Sequence, residues 1–404
     1  MFGLINNNVA YLIVSLLIFP ISLRLALFCF TCFLIGRLSF INSGYGDLLR
    51  KIVAGAIIAI AVIKLYAESR SHFYPVSVYD YLVLIITVGI IKLYPLKIHS
   101  LYQTCWAICL SLPITFICYL SQLDFRVRND WGFENPNWLG LYCSMCLPIV
   151  LSIAIYQFQQ QNSQLSIRRS ITNPLFVIPA IIFCLAWLMI VSSGSRSSLY
   201  TSLLAVAIVL AIKAKVNFGA DRKLKTVLLV SIILATLTFT YRFFLAKFSF
   251  LARFIDLANS TNVYRLKLYK CHLELGWQKP WWGWGINQVS AICEQKFRAG
   301  YGGVNHAHNF MLQIFVDRGL IVALGCGIIL FFYQVMPTIK LLLNSDLSSR
   351  TSAMNIGISL SCLSIIVVSL FQSAFYHYPL FPFWLGLLWG CQLDLMNSRE
   401  RKLS

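Results

Sequence analysis

Apolar residues run through this chain in long stretches broken by short polar links, the pattern of repeated membrane crossing. A helix needs about 20 apolar residues to cross the hydrocarbon core, and on that criterion about twelve spans can be marked. Their approximate limits are 9–23, 25–41, 52–67, 80–96, 101–120, 138–157, 174–193, 197–213, 224–242, 317–338, 353–374 and 379–396. The expected fold is therefore an all-α polytopic membrane protein. Residues 243–308 break the rhythm. They are longer and more polar than any other link and predict one large extracytoplasmic loop with short helices, inserted between spans 9 and 10. No internal repeat, Pro- or Ser-rich linker or low-complexity tract divides the chain, so residues 1–404 read as a single membrane domain.

Charge orients this pattern. With both termini cytoplasmic, the inner loops carry seventeen Lys and Arg, from Arg37 to Lys402. The short outer links carry Arg24, Lys64, Arg70, Arg126, Arg128 and Arg196. Cytoplasmic loops hold the excess of basic residues, and loops longer than about 60 residues escape that rule, so the basic 243–308 segment is compatible. The expected location is a bacterial inner membrane, multi-pass, with the site facing the periplasm.

Composition agrees. Hydrophobic residues make up 58% of the chain, charged residues 12%, and mean hydropathy is +0.73, whereas soluble domains carry roughly 25% charged residues. The net charge of +19 then reflects cytoplasmic loops, and no nucleic-acid partner is expected. MFGLINNN holds no Lys or Arg, so no signal-peptide n-region is visible and the first apolar run is expected to be a retained helix. The thirteen cysteines lie mostly inside apolar runs, where cysteine acts as a small hydrophobe. Cys143-x-x-Cys146 reads as core packing. Cys271 and Cys293 share the long loop, and the sequence leaves their pairing open.

Four patterns with chemical potential fall on the outer side. Arg126-x-Arg128 leads into Asn135-Pro136-Asn137, a turn in which Asn137 is expected to cap the next helix; the two arginines are candidates for anion contact. Ser192-Ser193-Gly194-Ser195-Arg196-Ser197-Ser198 is a very short link between two spans. An ionisable group at such depth is costly and usually functional, the alternative being a snorkelling arginine. Arg265, Leu268, His272 and Leu275 follow helical spacing, predicting a helix that ends near Gly276. Pro280-Trp281-Trp282-Gly283-Trp284-Gly285 then redirects the chain, and its tryptophans suit either sugar stacking or an interfacial belt. Asn305-His306-Ala307-His308-Asn309 carries two histidines without companion carboxylates or thiols, so no metal is expected. A neutral histidine there can accept a proton from a hydroxyl. Asp317-Arg318 is a candidate buried pair.

In this order the four patterns resemble the O-antigen ligase and polymerase superfamily of bacterial membrane glycosyltransferases, over roughly residues 120–340. His308-Asn309, nine residues and Gly319 follow the ligase pattern, while Val322 stands where that pattern has a small or hydroxyl residue. The resemblance implies an inverting, metal-independent transfer with no cofactor. The implied donor is a glycan on a polyprenyl diphosphate, and the implied acceptor is a hydroxyl of lipid A-core. Arg196, Arg265 and His308 are the implied catalytic residues; Arg126, Arg128, His306, Asn309 and Trp282 are candidate substrate contacts. A repeat-unit polymerase or protein O-glycosyltransferase is the alternative within the superfamily, and an inorganic-carbon transporter the remote one.

Overall fold

A computed structural model describes residues 7–18, 29, 33, 87, 98–122, 135–162, 174–217, 260–285, 288–296, 307–344, 349–372, 384–393 and 395. Among these the chain is helical, with no strand. In chain order the helices are α1 (Asn7–Ile18), α2 (Ile98–Tyr119), α3 (Pro136–Asn162), α4 (Pro174–Ser193) and α5 (Arg196–Asn217). There follow α6 (Ser260–Gly276), α7 (Gln288–Lys296), α8 (Phe310–Arg318), α9 and α10 (Arg350–Ser369). Helix α9 runs Leu320–Leu330, Phe331–Val335 and Met336–Asn344, the middle piece a π-helical turn. Residues 384–393 are helical as well.

Five of these helices are long and apolar enough to cross a membrane: His99–Tyr119, Pro136–Gln160, Phe176–Ser193, Leu320–Leu343 and Arg350–Ser369. They match expected spans 5, 6, 7, 10 and 11. The expected spans at 52–67 and 224–242 lie outside the described residues, as do nearly all of those at 25–41 and 80–96. Span 10 is corrected: expected as 317–338, it begins at Leu320, because Gly319 (φ 87°) turns the chain between α8 and α9.

Local chemistry explains where the helices start and bend. Pro136 opens α3, where its missing N–H costs nothing. The Asn135 side chain accepts from Asn137 N at 2.9 Å, so the cap is Asn135, two residues before the Asn137 that the sequence reading expects. Prolines inside α2 (Pro113), α3 (Pro148) and α4 (Pro179) are tolerated in spans because side chains and neighbouring helices take up the freed backbone groups. One turn from Pro148, Ser361 Oγ of α10 donates to the Met145 carbonyl at 2.5 Å. A Cβ on Gly357 of α10 would stand 3.0 Å from Ile149 Cα. Small residues let spans approach closely, which is how helices associate where lipid removes the hydrophobic drive.

Helix α3 is the centre of the bundle, packed against α4, α5 and α10. Its Tyr142, Cys143 and Cys146 are fully buried, which supports reading that cysteine pair as packing. By contrast α9 leaves Ile321, Leu324, Ile328, Phe331 and Phe332 exposed along its length. Helices α6, α7 and α8 form a second small core around Leu268, Val289, Phe310, Ile314 and Val316. Cys271 and Cys293 are joined in it by a disulfide, S–S 2.08 Å, which resolves the pairing the sequence left open.

Candidate active site

The link holding Arg196 is a tight serine turn. Helix α4 ends at Ser193, Gly194 adopts φ 63°, and Ser195 N donates to Ser193 Oγ at 3.2 Å. Ser195 Oγ and Ser198 Oγ share a hydrogen bond of 2.8 Å. Arg196 is the first residue of α5 and is half-buried, among the buried Ser192, Ser193, Ser195 and Ser198. A Cβ on Gly140 of α3 would fall 2.6 Å from Ser195 Cβ and 2.8 Å from Ser198 Oγ, so only glycine lets the turn seat on α3. From beyond α10, the amide of Gln372 donates to Ser195 Oγ at 2.9 Å and Ser197 Oγ at 2.5 Å.

Arg196 sits at an electrostatically awkward place. A helix N-terminus carries about half a positive charge, and a cation in the first turn is disfavoured by about 0.3–1 kcal/mol. The same terminus attracts a bound anion through its unsatisfied N–H groups. Arginine and helix end therefore repel each other when empty and act together on a phosphate.

Arg265 and His308 are linked through a residue that the sequence reading missed. Arg265 is half-buried on α6, and one turn later stands Tyr269. Burial pushes the Tyr269 phenol above its usual value, while the neighbouring Arg265 charge pulls the other way. The neutral phenol donates to the His308 carbonyl at 3.3 Å. His308 has φ 53°, a left-handed conformation that is costly for a non-glycine residue and clusters at functional sites.

That conformation is held from both sides. Ahead of it, Ala307 N donates to Gln313 Oε1 at 2.7 Å. Gln313 Nε2 in turn donates to Asp317 Oδ1 and Oδ2 at 3.1 and 3.0 Å. Behind it, Asn309 caps α8, its Oδ1 accepting from Leu312 N at 3.0 Å. Asn309, expected as a substrate contact, thus has a structural bond that leaves only its amide N–H groups for a ligand. Asp317 is buried on Gln313 while Arg318 is exposed, so the expected buried Asp317–Arg318 pair is corrected.

The Pro-Trp-Trp turn is fastened to the elbow between α8 and α9. Trp284 N donates to Val316 O at 2.8 Å, Gly285 N to Asp317 O at 3.1 Å and Leu320 N to Pro280 O at 2.6 Å. Trp282 is 84% exposed at this elbow. Arg126, Arg128 and His306 lie outside the described residues.

The end of α10 touches two of these patterns. Leu370 packs on the small core of α6 and α8, and two residues later Gln372 grips the Arg196 turn, which itself rests on Gly140 one turn below Asn135-Pro136-Asn137. Beside Tyr269 and Asn309 lies a cavity of about 600 Å³, lined further by Leu273, Met311, Leu312, Ala323, Leu324, Gly327, Ile328, Phe331 and Phe332. Arg196, Arg265 and His308 are not among its lining residues, and its wall continues onto the exposed face of α9.

Among the described residues, an all-helical chain with five helices long and apolar enough to cross a membrane is the class that the fold defines. Residues 181–332 match the family described as O-Antigen ligase. The match runs from α4 to the π turn of α9, contains Arg196, Arg265 and His308, and supports the resemblance to the O-antigen ligase superfamily over this stretch. No curated protein matches the chain.

Proposed function

We propose that the protein is an O-antigen ligase-type glycosyltransferase, moving a glycan from a polyprenyl diphosphate to an acceptor hydroxyl of lipid A-core at the outer face of the bacterial inner membrane. The observation that carries this reading is the link from Arg265 through Tyr269 to His308, beside an apolar cavity opening along a lipid-facing helix. The cavity suits a prenyl chain, and Tyr269 in its lining stands one turn from Arg265 on α6. Location in an oxidising compartment is supported by the Cys271–Cys293 disulfide, since such bonds persist outside the cytoplasm.

In this mechanism the acceptor oxygen attacks the anomeric carbon as the bond from that carbon to the diphosphate oxygen breaks, with inversion. His308 takes the acceptor proton. Arg196, Arg265 and the α5 N-terminus hold the diphosphate as its leaving oxygen gains charge, and guanidinium suits this because it binds bidentately and stays protonated. Removing one such donor from a water-poor site costs about 3–4 kcal/mol, or two to three decades in rate. The alternative acceptor is a second lipid-linked repeat unit, which would make the protein a polymerase, or a protein hydroxyl.

The test supplies purified protein with a polyprenyl-diphosphate glycan and two competing acceptors, lipid A-core and a lipid-linked repeat. Product on lipid A-core is expected, with Arg196→Ala and Arg265→Lys each strongly impaired. Product on the repeat alone would reassign the protein as a polymerase. Native rates in both arginine variants would remove the transferase reading.

A further inference from the structure

The family match ends at residue 332, yet the turn that carries Arg196 is gripped from residue 372. Gln372 follows the last turn of α10 and is 5% exposed. Its amide nitrogen donates to Ser195 Oγ and Ser197 Oγ, the residues immediately before and after Arg196. Both amide hydrogens are thereby used on one target. Among the described residues its Oε1 is buried with no hydrogen-bond partner. A buried orphan acceptor costs stability, and such exceptions in native proteins call for an explanation. The amide thus directs both of its donors at the Arg196 turn and leaves its acceptor unused.

We propose that Gln372 is a positioning residue for Arg196: it fixes the Ser195-Arg196-Ser197 turn so that the guanidinium meets an incoming diphosphate. This rests on the function proposed above. The first turn of α5 is the least constrained part of that helix, because its N–H groups have no intrahelical partners, and a cation placed there is pushed away by the helix end. Tying both flanking serines to the segment just past the end of α10 holds the arginine against that repulsion. Leu370, two residues earlier, packs on the core carrying Arg265 and His308, so one helix end references both halves of the site.

The experiment measures farnesyl diphosphate binding to protein reconstituted in nanodiscs, by titration calorimetry. The variants are Arg196→Lys, Gln372→Met, Ser195→Ala/Ser197→Ala and the Arg196→Lys/Gln372→Met double variant, each checked for its unfolding midpoint. Losing a charge-assisted hydrogen bond weakens binding by roughly tenfold, and that loss is expected for Arg196→Lys. Gln372→Met and the paired serine variant should each show a similar loss, because they act through the same arginine.

The double variant should then bind little worse than its weaker parent, since groups acting as one unit are non-additive. A fold defect alone lowers the binding-competent fraction without producing this coupling. If Gln372→Met does not fold, the serine variant combined with Arg196→Lys carries the same comparison. Native affinity in Gln372→Met, or losses that multiply to roughly a hundredfold in the double variant, would overturn the proposal while leaving the transferase reading standing. Native affinity in Arg196→Lys, or no binding by the unaltered protein, would remove both.

Discussion

Arg265 was recognisable as one member of a helical series, and α6 does end at Gly276 as that spacing predicts. The residue that gives it company, Tyr269, carried no distinguishing signal, because a tyrosine one turn away looks like any amphipathic helix position. The sequence marks His308 as a candidate proton acceptor by type, but not its φ of 53°, which goes with Gln313, Asn309 and Tyr269 meeting around it. His308→Ala should leave the protein folded and lower transfer by about two to four decades, the usual contribution of general-base catalysis. Tyr269→Phe should cause a smaller loss, read as kcat/KM, since it removes one bond to the histidine carbonyl while keeping the ring in the cavity wall. His272, fully buried on α6, has its pKa lowered by burial, only partly opposed by its bond to the Leu268 carbonyl. Its unfolded value is about 6.5; neutral His272 therefore contributes stability above that pH, lost as pH falls toward the lower folded value. Unfolding midpoints measured from pH 7.5 to 5 should drop more steeply for the unaltered protein than for His272→Gln.

Elements were read well where one physical rule dominated. Hydropathy placed 174–193 where α4 runs Pro174–Ser193, since a lipid-spanning helix needs nothing more than length and apolarity. Starts and stops were read less well, because caps depend on which side chain folds back. Asn135 rather than Asn137 caps α3, and Gly319 divides the expected span 10. A Cβ on Gly319 would lie 2.0 Å from the Trp281 carbonyl, and φ 87° is itself unfavourable for other residues. Gly319→Ala should detach the Pro280–Gly285 turn and lower both the unfolding midpoint and activity. The disulfide closes a separation of 22 residues between α6 and α7, a loop for which chain entropy gives about 3 kcal/mol. Cys271→Ser/Cys293→Ser should therefore unfold at lower temperature, and reductant should lower the midpoint of the unaltered protein but not of the double variant.

At the scale of the whole molecule, the proposed function implies transfer without a divalent cation, because arginine would neutralise the diphosphate. Among the described residues no three His, Cys, Asp or Glu side chains stand together, and His306 lies outside them, so the question belongs to experiment. Activity in excess EDTA should equal that in its absence; loss on chelation with recovery on added magnesium would contradict the arginine-only mechanism. The second whole-molecule feature is the contrast between α3, buried at the centre of the described helices, and α9, exposed along one face that also lines the cavity beside Tyr269.

The sequence by itself determined the helical membrane class, the positions of several spans and the residue types able to handle a diphosphate and a hydroxyl proton. Those properties follow from local composition, period and charge. Tertiary structure decided which distant residues serve them. Gln372 reaches the Arg196 turn across 177 positions, and Ser361 reaches Met145 across 216. No local pattern encodes such partners, because each hydrogen bond depends on the register in which two separate helices pack.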